Sequence, residues 1–135
     1  MPKHWNPTKK SKYYVPKETF LTAVHYCKQY PLWVSELALV TDNNRAIRYD
    51  IDRVQTSGDS DPTMTIAVRR MAIEKKKKKV DDVAKAVAGD LDQWIIQGVC
   101  YDLTYYQLQQ RGIPCGKDLY YSMRRKFYFM IAKEI

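Results

Sequence analysis

The sequence predicts an all-α fold, and three observations carry that expectation. Five glycines and six prolines among 135 residues fall below the roughly 12% that these types contribute on average, so long stretches lack chain-reversing residues. An apolar share of 45%, with three Trp, eleven Tyr and three Phe, is enough to bury a core without disulfide or metal staples. Apolar residues also recur at helical spacing. Leu91, Trp94, Ile95, Gly98 and Val99 follow i, i+3, i+4, i+7, i+8, and Ile66, Ile73, Val80 and Val87 repeat along a second segment with Val83 and Ala84 thickening the stripe. The length fits one domain of ordinary size.

Residues 1–12 are polar, basic and interrupted by two prolines, so we expect a flexible basic arm. From Tyr13 the text changes. Pro16 suits the first turn of a helix, Glu18 suits its positive end, and Phe20, Val24 and Cys27 begin an apolar stripe. Pro31 has no N–H to donate, so it kinks that helix or opens a second segment through Trp33, Leu37 and Val40. Residues 41–60 read mainly as connection, because Asn43-Asn44 and Ser57-Gly58 are turn chemistry, with a short strand over 46–54 as the alternative. Asp61-Pro62 then starts a helix, the carboxylate accepting from first-turn N–H groups and the proline needing no acceptor for its own nitrogen. That helix runs to about Ala88 and stops at Gly89. Residues 13–88 thus form a helical N-terminal region, and 89–135 a separate module.

Within that module Thr104 is placed to cap a short helix over 105–111. Gly112-Ile113-Pro114 closes it, glycine supplying a left-handed residue and proline forbidding continuation. A last helix starts at Gly116 or Lys117 and runs nearly to Ile135. Short helix, tight turn and longer basic helix are the order of a helix-turn-helix, whose second helix enters the major groove. At about 100° per residue, Tyr120, Met123, Phe127, Met130 and Ile131 share the core side of the last helix. Asp118, Tyr121, Ser122, Arg125 and Phe129 gather on the other side, with Lys117 and Arg124 at its edges. Base-edge readers and phosphate binders are therefore expected together, with Arg125 the leading reader.

Charge agrees with a polyanionic partner. Twenty-three Lys and Arg against fifteen Asp and Glu give +8, and the isoelectric point is near 9.4. Three blocks carry a resemblance to a known family: KYYVPKETF at 12–20, SGDSDPTMTIAVRR at 57–70 and YYSMRRKFYFMIAKEI at 120–135. In order and spacing they resemble phage-encoded late-gene regulators of the ArpU and RinA type, whose C-terminal part looks like the fourth region of a sigma factor. The resemblance implies a helix-turn-helix carrying Lys117, Ser122, Arg124 and Arg125 into double-stranded DNA at late promoters. Host RNA polymerase or a second copy of the chain would then be the partner of the N-terminal half.

Other constellations are weaker. Lys75 to Lys79 occupy every side of a helix, so most must be solvated, with one or two left for phosphate. Tyr13-Tyr14, Tyr105-Tyr106 and Tyr120-Tyr121 should each put one ring inward and one outward, which makes them packing residues before base-stacking ones. His25 and Cys27 point about 200° apart on a helix and cannot share a metal. Asp50-x-Asp52 and Asp59-x-Asp61 resemble magnesium sites, yet the second pair is explained by capping. With no Gly-rich phosphate loop and no Ser/His/Asp pattern, we expect neither catalysis nor a cofactor.

Cys27, Cys100 and Cys115 are odd in number and far apart, and Met1–Trp5 starts no apolar leader, which leads us to expect the cytoplasm of a bacterial host. No run approaches the roughly 18 apolar residues of a membrane span. The rivals to a transcription regulator are an interaction protein that inhibits a host nucleic-acid-bound defence complex and a small DNA-packaging protein.

Overall fold

The computed structural model describes residues 9, 12–39 and 62–135. Their regular structure is entirely helical, as the sequence predicts. The connection 41–60 with its alternative strand, the cap at Asp61 and most of the N-terminal arm lie outside the described residues.

Helix α1 spans Lys17–Lys28. Pro16 is its extended N-cap (φ −55°, ψ 147°), and the Pro16 carbonyl accepts from the Phe20 amide at 2.8 Å. Phe20, Ala23, Val24 and Cys27 form the buried stripe at i, i+3, i+4, i+7. A turn at Gln29 ends it, and residues 30–39 continue as a second helical stretch, α2. Of the two outcomes open at Pro31 the break is the one adopted, and it falls at Gln29, ahead of the proline, whose ring crowds the Cys27 carbonyl and supplies no N–H to it. Helix α3 covers Pro62–Ala88. Gly89 ends it at φ +59°, and a single 3-10 turn, Gly89–Leu91, leads into α4, Asp92–Cys100. Helices α5, Tyr105–Gln110, and α6, Lys117–Glu134, complete the chain.

The chain forms two compact units. One joins the described residues up to Tyr30 with Lys79–Ile135, and the other is Pro31–Lys78. Contacts therefore divide at 30/31 and 78/79, and the helix end at Gly89, where the sequence places a boundary, falls inside the first unit. The reason is long-range packing: α1 lies against α6 and α4, and α4 also packs on α5 and α6. Phe20 of α1 meets Tyr128 of α6 edge-on at 5.1 Å. The Tyr30 hydroxyl donates to Asp81 Oδ1 at 2.7 Å, and Lys79 Nζ donates to the Glu134 carbonyl at 2.8 Å, tying the end of α3 into the same unit. Burial of Val80, Val83 and Ala84 does the rest. Each fully buried aliphatic or aromatic side chain here contributes about 1.5–3 kcal/mol of transfer free energy. In the Pro31–Lys78 unit, Trp33 and Ile73 are buried and Arg69 pairs with Glu36 at 3.7 Å.

Candidate functional site

The site is built from the turn between α5 and α6. Thr104 caps α5 as expected, in a reciprocal box: its hydroxyl accepts from the Gln107 amide at 3.2 Å while Gln107 Oε1 accepts from the Thr104 amide at 2.9 Å. At the other end Gly112 takes φ +95°. The Gly112 amide donates to the Gln109 carbonyl (3.0 Å) and the Ile113 amide to the Leu108 carbonyl (3.1 Å). This is a Schellman closure, with Leu108 and Ile113 as its buried apolar pair. Tyr105 then clamps the next stretch, its hydroxyl donating to the Cys115 carbonyl at 2.7 Å. The polypeptide is thus delivered to Gly116, the extended N-cap of α6 (φ −76°, ψ 165°), from a fixed direction.

Behind the start of α6 sits a group of rings. Tyr105, Tyr120 and Tyr121 lie with centroids 5.2 to 6.5 Å apart. Tyr120 is fully buried, and its hydroxyl has no hydrogen-bond partner among the described residues. Burial pushes that phenol up to about 12, partly countered by the Arg124 charge. It fits only because position 98 is glycine: a Cβ there would overlap the hydroxyl and stand 2.9 Å from Tyr120 Cζ and 3.3 Å from Leu108 Cδ1. Gly98, read from the sequence only as part of an apolar stripe, is therefore the point where α4, α5 and α6 close on one another.

In front of the rings lies an open depression of about 490 Å³, lined by Lys117, Asp118, Tyr121 and Arg125. Four of the seven side chains expected on that face share it. Ser122 is exposed one turn beyond Asp118, outside that lining. Among the described residues, Lys117, Asp118 and Arg125 make no hydrogen bond or ion pair through their side chains. Their charges remain available to a ligand.

Arg124 departs from the expectation. It is only 7% exposed, with its guanidinium 5.6 Å from the Tyr128 ring centroid. Tyr120, Arg124 and Tyr128 stand at i, i+4, i+8 and form one buried row. An α6 packed by both α1 and α4 buries a wider arc than a helix with one neighbour, and that arc takes in Arg124. Burial raises the Tyr128 phenol, and the Arg124 charge opposes the rise. Arg124 is a packing residue, not part of the exposed face.

Phe129, placed on the reading face from its angle, is half-buried and lies 5.6 Å from Tyr13, while Lys133 Nζ is 4.1 Å from its ring. Of the tyrosine pairs, Tyr105-Tyr106 and Tyr120-Tyr121 split inward and outward, Tyr106 being 67% exposed. Tyr13 and Tyr14, ahead of α1 rather than in a helix, are both half-buried.

Cys27 and Cys100, far apart in sequence, meet in the core, where a hydrogen bond to Cys27 and then burial raise the Cys100 thiol. His25 is exposed, and among the described residues no set of three His, Cys, Asp or Glu side chains converges on a metal position. No helix among them is long and apolar enough to cross a membrane. Comparison with protein-family models, with curated proteins and with solved structures returns no match to this chain.

Proposed function

We propose that the chain is a sequence-specific, duplex-DNA-binding transcription regulator of a bacteriophage or prophage, of the ArpU and RinA type, acting at late promoters with host RNA polymerase. The observation that carries this reading is the depression at the start of α6, where Lys117, Asp118, Tyr121 and Arg125 sit together on the helix that follows a rigid turn. An exposed helix start with mixed donors and an acceptor suits a major groove, where base edges present both kinds of partner. Lys117 and the neighbouring cations attract phosphate, and Arg125 contacts a base edge. Binding, not chemistry, is the activity. The Pro31–Lys78 unit exposes Leu32, Leu39, Val68 and Met71, which supports a protein partner for it, polymerase or a second copy.

The test is a mobility-shift titration of the full chain with duplexes from the DNA flanking its own gene, against unrelated duplex competitor, followed by transcription with bacterial polymerase. A discrete complex that survives competitor and changes promoter output is the expected result. Retention that competitor removes equally well from every duplex would overturn it.

A further inference from the structure

A carboxylate is out of place on a surface built only to follow phosphates, because it repels them. Asp118 nevertheless stands in the first turn of α6, exposed, inside the same depression as Lys117 and Arg125 and paired with neither. Its place in a helix's first turn is favourable for any acid, as it is for Glu18 in α1, and three more specific roles are open to such a group. Capping is one, but the N-cap is Gly116 and Asp118 makes no capping hydrogen bond. Restraining Arg125 is another, but no ion pair joins them among the described residues. The third is to accept a hydrogen bond from the ligand. In the major groove the exocyclic amino group of cytosine is a donor that a carboxylate accepts from, while guanine O6 and N7 are the acceptors that suit a guanidinium.

Spacing adds to this. Asp118 and Arg125 are two turns apart, which at about 1.5 Å per residue separates them by roughly 10.5 Å along α6. A helix in the major groove runs at an angle to the duplex axis, so at about 3.4 Å of axial rise per base pair that is at most about three base-pair steps. Tyr121 lies between them, its ring held 5.2 Å from Tyr120 and 6.5 Å from Tyr105, so it forms a fixed floor.

We infer that the depression selects duplex DNA carrying two G·C pairs at most about three steps apart, with Arg125 donating to the guanine of one and Asp118 accepting from the cytosine amino group of the other. This rests on the duplex-binding reading above and names the sequence feature that reading leaves open. Asp118 acts as a specificity residue in two ways: it rewards cytosine, and its charge penalises loose attachment to phosphate at all other sequences.

The experiment is selection from a randomised duplex library with the full-length wild type, Asp118→Asn, Asp118→Ala and Arg125→Ala, each first shown to melt as the wild type does. The wild type should enrich two G·C positions at the stated spacing. Asp118→Ala should lose preference at one of them alone, with discrimination there falling at least about fivefold, while affinity for unselected duplex rises. Asp118→Asn, which offers the cytosine a weaker acceptor and adds a donor, should relax the same position. Arg125→Ala should lose the other. Wild-type selection that Asp118→Ala leaves unchanged, or an equal loss at every position, would overturn this inference and leave duplex binding standing. A wild type that enriches no duplex would overturn both.

Discussion

Gly98→Ala measures how closely the three C-terminal helices are fitted. The added Cβ would overlap the Tyr120 hydroxyl and approach Cζ to 2.9 Å and Leu108 Cδ1 to 3.3 Å. The Tyr120 ring is hemmed in by Tyr105 at 5.6 Å and Tyr121 at 5.2 Å, so it has little freedom to tilt away. Overpacking of this kind costs about 1–3 kcal/mol, and replacing a helical glycine with alanine returns about 1 kcal/mol of propensity. With the contact at hydroxyl-overlap distance, a net loss of about 1–2 kcal/mol follows, or roughly 3–8 °C in Tm for a chain of this size. The Tyr120→Phe background supplies the control. Its missing hydroxyl removes the severest overlap and a buried polar group without a partner but leaves the 2.9 Å approach to Cζ, so the loss from Gly98→Ala should shrink there by at least about 1 kcal/mol without reversing sign. Urea and thermal melts by circular dichroism on the four proteins give the cycle. A Gly98→Ala protein more stable than the wild type, or one whose loss is the same in both backgrounds, would refute the packing argument.

Arg124→Ala should cost about 1–3 kcal/mol of stability, since it empties a buried row and removes a cation from the Tyr128 ring, whereas Arg125→Ala should leave the melt unchanged and lower discrimination between specific and random duplex by about 1–3 kcal/mol. Melts and competition binding on the pair decide it. If Lys117 and three further basic residues neutralise phosphates, affinity should fall roughly a hundredfold between about 50 and 200 mM salt. An anisotropy titration that is flat over that range would contradict the interface. Burial holds Tyr120 at about 12 against its ordinary 10.0, and raises Tyr30 and Tyr128 in the same direction, so the folded state keeps protons that the unfolded chain gives up. That contribution is intact below pH about 10 and lost as pH climbs through about 12. In an alkaline absorbance titration these phenols should therefore ionise after the exposed ones and together with helix loss.

Local signals were legible where one residue type has a single conformational use. Gly89 and Gly112 end their helices at positive φ, Thr104 forms the capping box, and the helix breaks just ahead of Pro31. Four of the site residues were legible for a related reason, since the turn fixes where α6 begins and helical period then fixes its exposed side. What sequence could not supply was the partner of each face. The stripe on α1 says that it buries something, and only the fold says that α6 and α4 cover it. The same ignorance misplaced Arg124: a wheel drawn for one packed side cannot know that two neighbours widen the buried arc. Asp102 at φ 56°, just beyond α4, had no distinctive signal, because aspartate tolerates the left-handed region without requiring it.

The central claim is that duplex DNA is bound by the turn and the first half of α6. At 15.9 kDa the full chain suits amide-resolved NMR, and titration with a selected duplex at moderate salt locates the contact directly. The account predicts that the largest shifts fall on residues 112–126, with Lys117, Asp118, Tyr121 and Arg125 foremost and the amides of 31–39 little changed. Shifts concentrated on the Lys75 to Lys79 run or on 31–39, with 112–126 unmoved, would contradict it.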